Sequence, residues 1–271
     1  TPAGQTLSIS GWALDPDQPT VPVQVTVSIQ DNPTVSVTAG LSRPDIAAAF
    51  PGTGSAHGFS YSGRVTPGVH RVCLYAIDVD ASNRSTPLGC EDVDVPPLSG
   101  PEAIDEAWAL SLKEAGPMGA SLGDAQGGLP GGGYVREFAN GAVYWTSATG
   151  ARFVPSGPLR DSWVRRGAQG GSLGYPTGDA VVLSSSRGPW QQPFQGGLLV
   201  SGSTQIDAAL LTGAIRNAWV TGPARLVIGY PAADARCGLR DGGCVQDFDG
   251  GLMAWSGTGT AAWWVQDAVA Q

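Results

Sequence analysis

The chain has 271 residues, among them 40 Gly, 21 Pro and nine Trp, and only 14% of its residues are charged. The glycines follow no Gly-X-Y period, which excludes collagen, and an apolar fraction of 42% predicts a folded, turn-rich and mainly β chain. A net charge of −8 argues against nucleic acid and anionic membranes as partners, and no apolar run approaches the roughly 18 residues that span a bilayer.

Residues 1–98 are predicted to form an all-β domain. Short alternating segments, such as 21–29 and 72–79, are separated by Asp-Pro, Asn-Pro and Pro-Gly turn signals. Such regularly spaced short strands are typical of a two-sheet sandwich. The Pro-rich stretch 95–100 then predicts a linker. Residues 1–4 carry no sign of a signal sequence, so we expect a processed chain or a piece of a longer one.

The four cysteines form two local pairs, Cys73 with Cys90 and Cys237 with Cys244. An even number of cysteines in a Gly-rich chain predicts two disulfides and an oxidising compartment. The alternative is a metal site, which is less favoured because neither pair has C-x-x-C spacing. Both histidines, His57 and His70, lie far in sequence from the second pair.

Residues 99–271 contain an internal repeat with a period of about 55 residues. Four kinds of residue recur at this spacing: Trp108, Trp163 and Trp219; Asp124, Asp179 and Asp234; Phe138, Phe194 and Phe248; Gly141, Gly197 and Gly251. The period predicts three units at 99–157, 158–213 and 214–271. They are expected to pack together, because one such unit cannot bury its apolar face alone.

Each unit is predicted to contain a short helix and a β-hairpin. The helix carries an apolar pair at i and i+4 that includes the recurrent Trp, and a Gly-Pro turn ending in Asp follows it. A variable Gly-rich loop leads to the hairpin, whose turn is predicted at Asn140-Gly141, Gly196-Gly197 and Gly250-Gly251. The whole fold is therefore expected to be mainly β, a sandwich followed by a compact or ring-like repeat array. The tail at 265–269 is expected either to run on as the end of a unit or to pair back on unit 1.

Two tetrapeptides at matching positions, Leu173-Gly174-Tyr175-Pro176 and Ile228-Gly229-Tyr230-Pro231, resemble the LGFP repeat of actinobacterial envelope proteins. The F-x-G-G hairpins extend the resemblance over about residues 101–271. Unit 1 departs from the pattern, because Met118-Gly119-Ala120-Ser121 stands at the tetrapeptide. Residues 1–98 are similar to the immunoglobulin-like modules of the same proteins through the segments 11–17, 43–47 and 57–60.

The resemblance implies non-covalent attachment to cell-wall polysaccharide, arabinogalactan or the glycan of peptidoglycan, by a secreted or envelope protein. It implies no catalysis by the repeats themselves, and the chain is expected to be a monomer. Two alternatives remain open. One is an adhesin or partner-binding module that uses the immunoglobulin-like surface, and the other is an accessory segment of a larger wall-active hydrolase or mycoloyltransferase.

Catalytic motifs are weak in this sequence. Two segments, 119–123 and 170–174, match the G-x-S-x-G pattern of esterases. No histidine follows residue 70, so no imidazole is expected to activate either serine. The recurrent Asp residues occupy the same place in each unit, which would scatter them rather than bring two acids to one bond. We therefore expect no catalytic residues and no enzyme.

No metal site is predicted, but four D-x-D pairs would suit Ca²⁺, which remains an alternative as a cofactor. The pairs lie at 15/17, 78/80, 92/94 and 247/249. None continues into a twelve-residue loop with a terminal Glu.

Aromatic residues are the main candidates for glycan binding, because their rings can stack on the C–H faces of a neutral sugar. The candidates that do not recur in every unit are Tyr134, Tyr144, Trp145, Trp190, Trp255, Trp263 and Trp264, and the candidates on the recurrent turns are Tyr175, Tyr230, Asp179 and Asp234. Polar partners could come from Asn140, Arg187, Gln191, Gln192, Gln195, Arg240 and Asp247. The competing interpretation is aromatic packing inside a sheet and, for each Asp, a cap on the backbone N–H groups of its own turn.

Overall fold

A computed structural model describes residues 5–80, 84–185, 188–202 and 207–266. The chain divides into two compact parts, Thr1–Leu98 and Ser99–Gln271, here called the N-terminal domain and the repeat domain. The predicted mainly β fold is confirmed, with 44% of the described residues in strands and 20% in helices. Residues 1–4, Arg187 and positions 267–269 of the tail lie outside the described residues.

The N-terminal domain is a sandwich of two antiparallel sheets, with strand orders β1-β5-β4 and β3-β2-β6-β7. Val25, Val27 and Ile29 alternate inward along β2 and meet Phe59 and Val65 from the opposite sheet. The elements are β1 (Gln5–Trp12), β2 (Gln24–Ile29), β3 (Val35–Thr38), β4 (Leu41–Ser42), α1 (Pro44–Ala49), β5 (Ala56–Val65), β6 (Gly68–Ile77) and β7 (Ser85–Val95).

The repeat domain contains three four-stranded antiparallel sheets, one for each predicted unit. Unit 1 comprises α2 (Gly100–Leu110), β8 (Gln126–Leu129), β9 (Gly133–Phe138), β10 (Gly141–Thr146) and β11 (Gly150–Pro155). Unit 2 comprises α3 (Pro158–Arg165), β12 (Val181–Ser185), β13 (Gly188–Phe194), β14 (Gly197–Ser201) and β15 (Ala208–Leu211). Unit 3 comprises α4 (Gly213–Thr221), α5 (Ala224–Ile228), β16 (Arg236–Cys237), β17 (Cys244–Phe248), β18 (Gly251–Trp255) and β19 (Trp263–Gln266).

The predicted hairpin is thus the centre of a larger meander. Part of the Gly-rich loop pairs with one side of the hairpin, as β8, β12 and β16, and the segment leading to the next helix pairs with the other side. We refer to these meanders as sheet 1, sheet 2 and sheet 3. In the tail, residues 263–266 pair with β18 of their own unit.

The predicted hairpin turns are wrong by one residue. Gly141, Gly197 and Gly251 are the first residues of a strand rather than turn residues, and their φ angles are 156°, 158° and 159°. A Cβ atom at Gly141 would collide with the carbonyl oxygen of Val154 on the next strand. Glycine therefore recurs there because the neighbouring strand approaches closely, not because a tight turn needs a left-handed residue.

The helices begin and are held in place by specific hydrogen bonds. Ser99 and Glu102 form the capping box of α2, with the backbone N–H of Ser99 donating to Glu102 Oε2 at 2.9 Å. Further along each helix, the indole Nε1–H of the recurrent Trp donates to a glycine carbonyl. The bonds are Trp108 to Gly119 at 3.0 Å, Trp163 to Gly174 at 2.9 Å and Trp219 to Gly229 at 2.9 Å.

Helices α3 and α4 each lie between two sheets. Leu199 on β14 packs in the cluster of Trp163, whereas Leu198 and Val200 on the other face of the same strand pack with Trp219. Strand β14 is buried along its whole length for this reason. Trp163 and Trp219 are 0% and 1% exposed, while Trp108, on a helix that packs on the sheet of its own unit, is half-buried.

Replacing Trp163 tests the importance of the hydrogen bond from its indole N–H to the Gly174 carbonyl. Trp163→Phe removes the donor and leaves the Gly174 carbonyl without its partner in a buried environment. We expect the free energy of unfolding of the repeat domain to fall by about 1–3 kcal/mol, measured by urea denaturation. The matched control is Trp12→Phe, a half-exposed Trp of the N-terminal domain, which should change stability by less than about 0.5 kcal/mol. Equal effects of the two substitutions would contradict this account.

Candidate functional site

Two buried glutamines connect the units, one at the junction of units 1 and 2 and one at the junction of units 2 and 3. Gln192 Nε2 donates to Phe153 O of sheet 1 at 2.8 Å and to Gly178 O of its own turn at 3.1 Å. Gln246 repeats the arrangement, with bonds to Leu210 O at 3.1 Å and Ala233 O at 2.7 Å. Both side chains are fully buried. Gln192, predicted as a polar partner of the glycan, therefore holds the junction between units 1 and 2 and is not accessible to a polymer.

Tyr144 and Tyr175 are also part of this junction. Tyr144 is 7% exposed and packs edge-on against Trp163, with ring centroids 4.7 Å apart. Tyr175 is 4% exposed, and its hydroxyl donates to Pro130 O of unit 1 at 2.7 Å. Burial raises the pKa of both phenols, so both side chains stay uncharged. Neither ring is free to stack on a sugar.

The two candidate aspartates have different surroundings. Asp234 accepts two bonds from Arg166 Nη2, at 2.9 and 2.8 Å, and one from the backbone N–H of Leu210 at 2.7 Å. It therefore links unit 3 to the edge strand of unit 2 and to the end of its helix, a contact that differs from both interpretations of the sequence, glycan binding and a cap on its own turn. Asp179 is largely exposed, 3.9 Å from Arg152 Nη1. Tyr230 is half-buried beside Trp219, at 6.4 Å between ring centroids.

Three further candidates, Trp145, Trp190 and Trp255, belong to one cross-strand pair that is equivalent in the three sheets and lies where the sheet faces the start of its own helix. In unit 1, Tyr134 lies opposite Trp145, and the two rings are 5.9 Å apart. They fill the space beside α2, because a Cβ atom at Gly100 would collide with Tyr134. In unit 2, Trp190 fills the position opposite Ser201, whose hydroxyl accepts the Trp190 backbone N–H at 2.9 Å.

In unit 3 the same position holds Cys244 opposite Trp255. A cysteine is much smaller than the Tyr or Trp of the other units. The predicted disulfide is present and joins Cys244 to Cys237 on the adjacent strand β16. A cavity of about 320 Å³ opens here, a volume near the lower end of the range for small-molecule pockets. Its lining comprises Thr212, Gly213, Ala214, Ile215, Asn217, Ala235, Cys244, Trp255, Gly259 and Thr260.

The cavity combines one aromatic ring with uncharged polar groups. Trp255 donates through Nε1 to Gly259 O at 3.0 Å, which holds the indole in place. Asn217, Thr212 and Thr260 also line the cavity, and the side chain of Thr212 makes no capping bond to α4 although it is the N-cap residue. None of the lining residues carries a charge. Such a lining suits a neutral ligand with hydroxyl groups and an apolar face.

The acidic pairs are engaged within the N-terminal domain and sheet 3. Asp15 accepts backbone N–H bonds from Val79 and Asp17, which lower the pKa of its carboxyl group. Asp92 pairs with Arg71, and Asp247 pairs with Arg236. Within the described ranges, no three His, Cys, Asp or Glu side chains come together as metal ligands would.

The two histidines contact backbone carbonyls of the same domain. His57 Nε2 lies 3.1 Å from Thr53 O, and His70 Nε2 lies 2.6 Å from Thr66 O. The second predicted disulfide, Cys73–Cys90, is also present and joins β6 to β7. Across the described part of the chain, no helix has the length and apolar character needed to cross a membrane.

The sheets, sandwiched helices and buried connecting side chains define a tandem-repeat protein. A scan against family models matches the LGFP repeat at residues 118–171, 173–221 and 228–271, just over half of the chain. The chain belongs to the LGFP repeat family. No curated protein matches it significantly.

The family boundaries differ from the units predicted here. The first two matches each begin near a turn and end after the helix of the next unit, whereas the predicted units begin with a helix. Because α3 and α4 each contact the sheet before and the sheet after, both divisions describe the same packing.

The buried glutamines provide a test of the junctions. Gln246→Ala leaves the carbonyls of Leu210 and Ala233 without their side-chain donor, so we expect a loss of about 1–3 kcal/mol in unfolding free energy. Gln266→Ala, on the exposed outer strand β19, is the matched control and should be nearly neutral. A neutral result for Gln246→Ala in urea denaturation would show that the junction does not depend on this side chain.

Proposed function

We propose that the chain is a secreted, non-catalytic module that binds cell-wall polysaccharide, arabinogalactan or the glycan of peptidoglycan, and anchors its protein to an actinobacterial envelope. In this proposal the N-terminal sandwich is the immunoglobulin-like module of such proteins. The LGFP repeats suggest a cell-wall-associated module. Two disulfides are consistent with an extracellular or envelope location.

The cavity beside Trp255 is the observation that carries the proposal. A sugar ring entering it would stack its C–H face on the indole, and its hydroxyls would bond to Asn217, Thr212 and Thr260. The absence of charge in the lining favours a neutral saccharide over a phosphate-bearing polymer. The equivalent positions of units 1 and 2 are filled by aromatic side chains, so unit 3 supplies the binding site and the other units support it.

A second candidate function uses the N-terminal domain. Trp12 and Phe50 are each 42% exposed, and their ring centroids lie 5.9 Å apart. Exposed aromatic pairs are common at protein interfaces. This pair favours the alternative of an adhesin or partner-binding module, in which the repeat domain has a supporting role.

Filling the cavity separates the two candidates. The double variant Cys237→Ser with Cys244→Tyr places in unit 3 the side chain that unit 1 has at Tyr134. We expect its affinity for purified actinobacterial wall to fall at least about tenfold, or 1.4 kcal/mol. The measurement is co-sedimentation of the full chain with wall before and after removal of arabinogalactan, which also tells the two glycans apart.

The matched control is Cys237→Ser with Cys244→Ser, which removes the same disulfide and leaves the cavity open. It should still sediment with wall, and a titration with soluble wall oligosaccharide should still quench Trp255 fluorescence. If the unmodified chain stays in the supernatant with both wall preparations, the wall-binding proposal is wrong. Sedimentation that survives Cys244→Tyr but is lost in Trp12→Ala would favour the N-terminal alternative.

A further inference from the structure

The outer face of sheet 3, turned away from α4, is apolar and exposed. Leu252, Trp263 and Val265 on this face are 36%, 59% and 63% exposed. The residues equivalent to Leu252 are Ala142 in sheet 1 and Leu198 in sheet 2, which are 0% and 4% exposed. The helix of the following unit covers them, with Trp163 over sheet 1 and Trp219 over sheet 2.

The outer strand of sheet 3 also lacks contacts that the outer strands of sheets 1 and 2 make with the unit that follows. On the outer strands of sheets 1 and 2, Phe153 O and Leu210 O accept bonds from the glutamine of the next unit, and Leu210 N–H donates to Asp234. Trp264 holds the equivalent register on β19, opposite Met253. Among the described residues, no side chain bonds to the backbone of Trp264.

A third feature of sheet 3 is a turn equivalent to the one in unit 1 that accepts a hydrogen bond from the tyrosine of the next unit. Tyr175 reaches Pro130 O in the short turn Pro130–Gly132, and Gly133 leaves room for its hydroxyl. Unit 3 repeats this turn at Arg240–Gly242, with Asp241 at φ 61° where unit 1 has Gly131 at φ 67°. Gly243 follows in place of Gly133, and the atom nearest to a Cβ placed there is Trp255 O, not a tyrosine.

We propose that the outer face of sheet 3 is a docking surface for one further LGFP-type unit of the kind that units 2 and 3 represent. The helix tryptophan of that unit covers Leu252, Trp263 and Val265. Its turn tyrosine bonds to the Arg240 carbonyl, and its glutamine bonds to the Trp264 carbonyl. The tryptophan and glutamine contacts continue ones that the chain makes at both internal junctions, and the tyrosine contact continues the one that Tyr175 makes between units 1 and 2.

A second copy of this chain is a poor occupant, because unit 1 lacks the connecting side chains. Ala120 stands where unit 2 has Tyr175, and Arg136 stands where it has Gln192. Asp105 occupies the place of Arg160, which pairs with Glu137 of unit 1. The sheet 3 counterpart of Glu137 is Asp247, so a second copy, whose Asp105 pairs with its own Arg136, would bring no matching cation to Asp247.

The test extends the chain with either of two matched units. One protein carries residues 1–268 followed by a second copy of residues 158–212, and the control carries a second copy of residues 103–157 instead. The copied unit then begins at position 269. This position is as far along the chain from Val265 as Pro158 is from Val154, so the spacing of the existing junction between units 1 and 2 is kept. We expect the unit 2 copy to lower the acrylamide quenching of Trp263 several-fold relative to the native chain. Quenching of Trp263 is the difference between each protein and its Trp263→Phe variant.

The control extension is expected to leave Trp263 as accessible as in the native chain. In addition, Leu252→Ser should leave the melting temperature of the native chain unchanged and lower that of the unit 2 extension. Equal shielding by both extensions, or shielding by neither, would overturn the proposal. So would concentration-dependent association of the native chain in sedimentation velocity that Leu252→Ser abolishes, because the surface would then bind a second copy.

Discussion

The hydrogen bond from a buried indole to a glycine carbonyl organises the repeat domain. A tryptophan buries a large apolar surface, but its N–H must find an acceptor when it leaves water. Gly119, Gly174 and Gly229 supply that acceptor, and their φ angles of 74°, 62° and 77° are ones that glycine adopts without strain. The recurrence of Trp and of the acceptor glycine in the sequence therefore reflects one interaction that is made three times.

The same hydrogen bond also makes neighbouring units depend on each other for burial of their apolar surfaces. Because each Trp holds its helix on the turn of its own unit, the other side of α3 or α4 is presented to the preceding sheet. A strand such as β14 then buries apolar side chains on both faces. Stability in such an array comes from contacts between neighbours as well as from each unit. The recurrent Trp and Phe residues serve this assembly. The candidate ligand site lies where unit 3 has Cys244 in place of the large aromatic side chain of units 1 and 2.

Much of this organisation could be predicted from the sequence, because it depends on periodic or local signals. The period, the helix tryptophans, the capping box of α2 and the two cysteine pairs are of this kind. Strand β8 could not be predicted, since Gln-Gly-Gly-Leu shows no alternation and pairs only because β9 lies beside it. The cavity at Trp255 could not be predicted without the register, because Cys244 replaces an aromatic residue only when the strands are aligned. Alignment of the three units by their Phe residues would have placed Cys244 in the column of Tyr134 and Trp190.

The differences between unit 1 and its successors give the array a direction. Ala120 and Arg136 remove the tyrosine and glutamine that would reach back to an earlier sheet, and Arg136 pairs instead with Asp105 of its own helix. The charge of Arg136 is thus paired within unit 1. Gene duplication could lengthen such an array by inserting copies after unit 1, but a copy of unit 1 placed inside it would interrupt the chain of contacts. Ala120 and Arg136 therefore suit unit 1 to the first position of such an array.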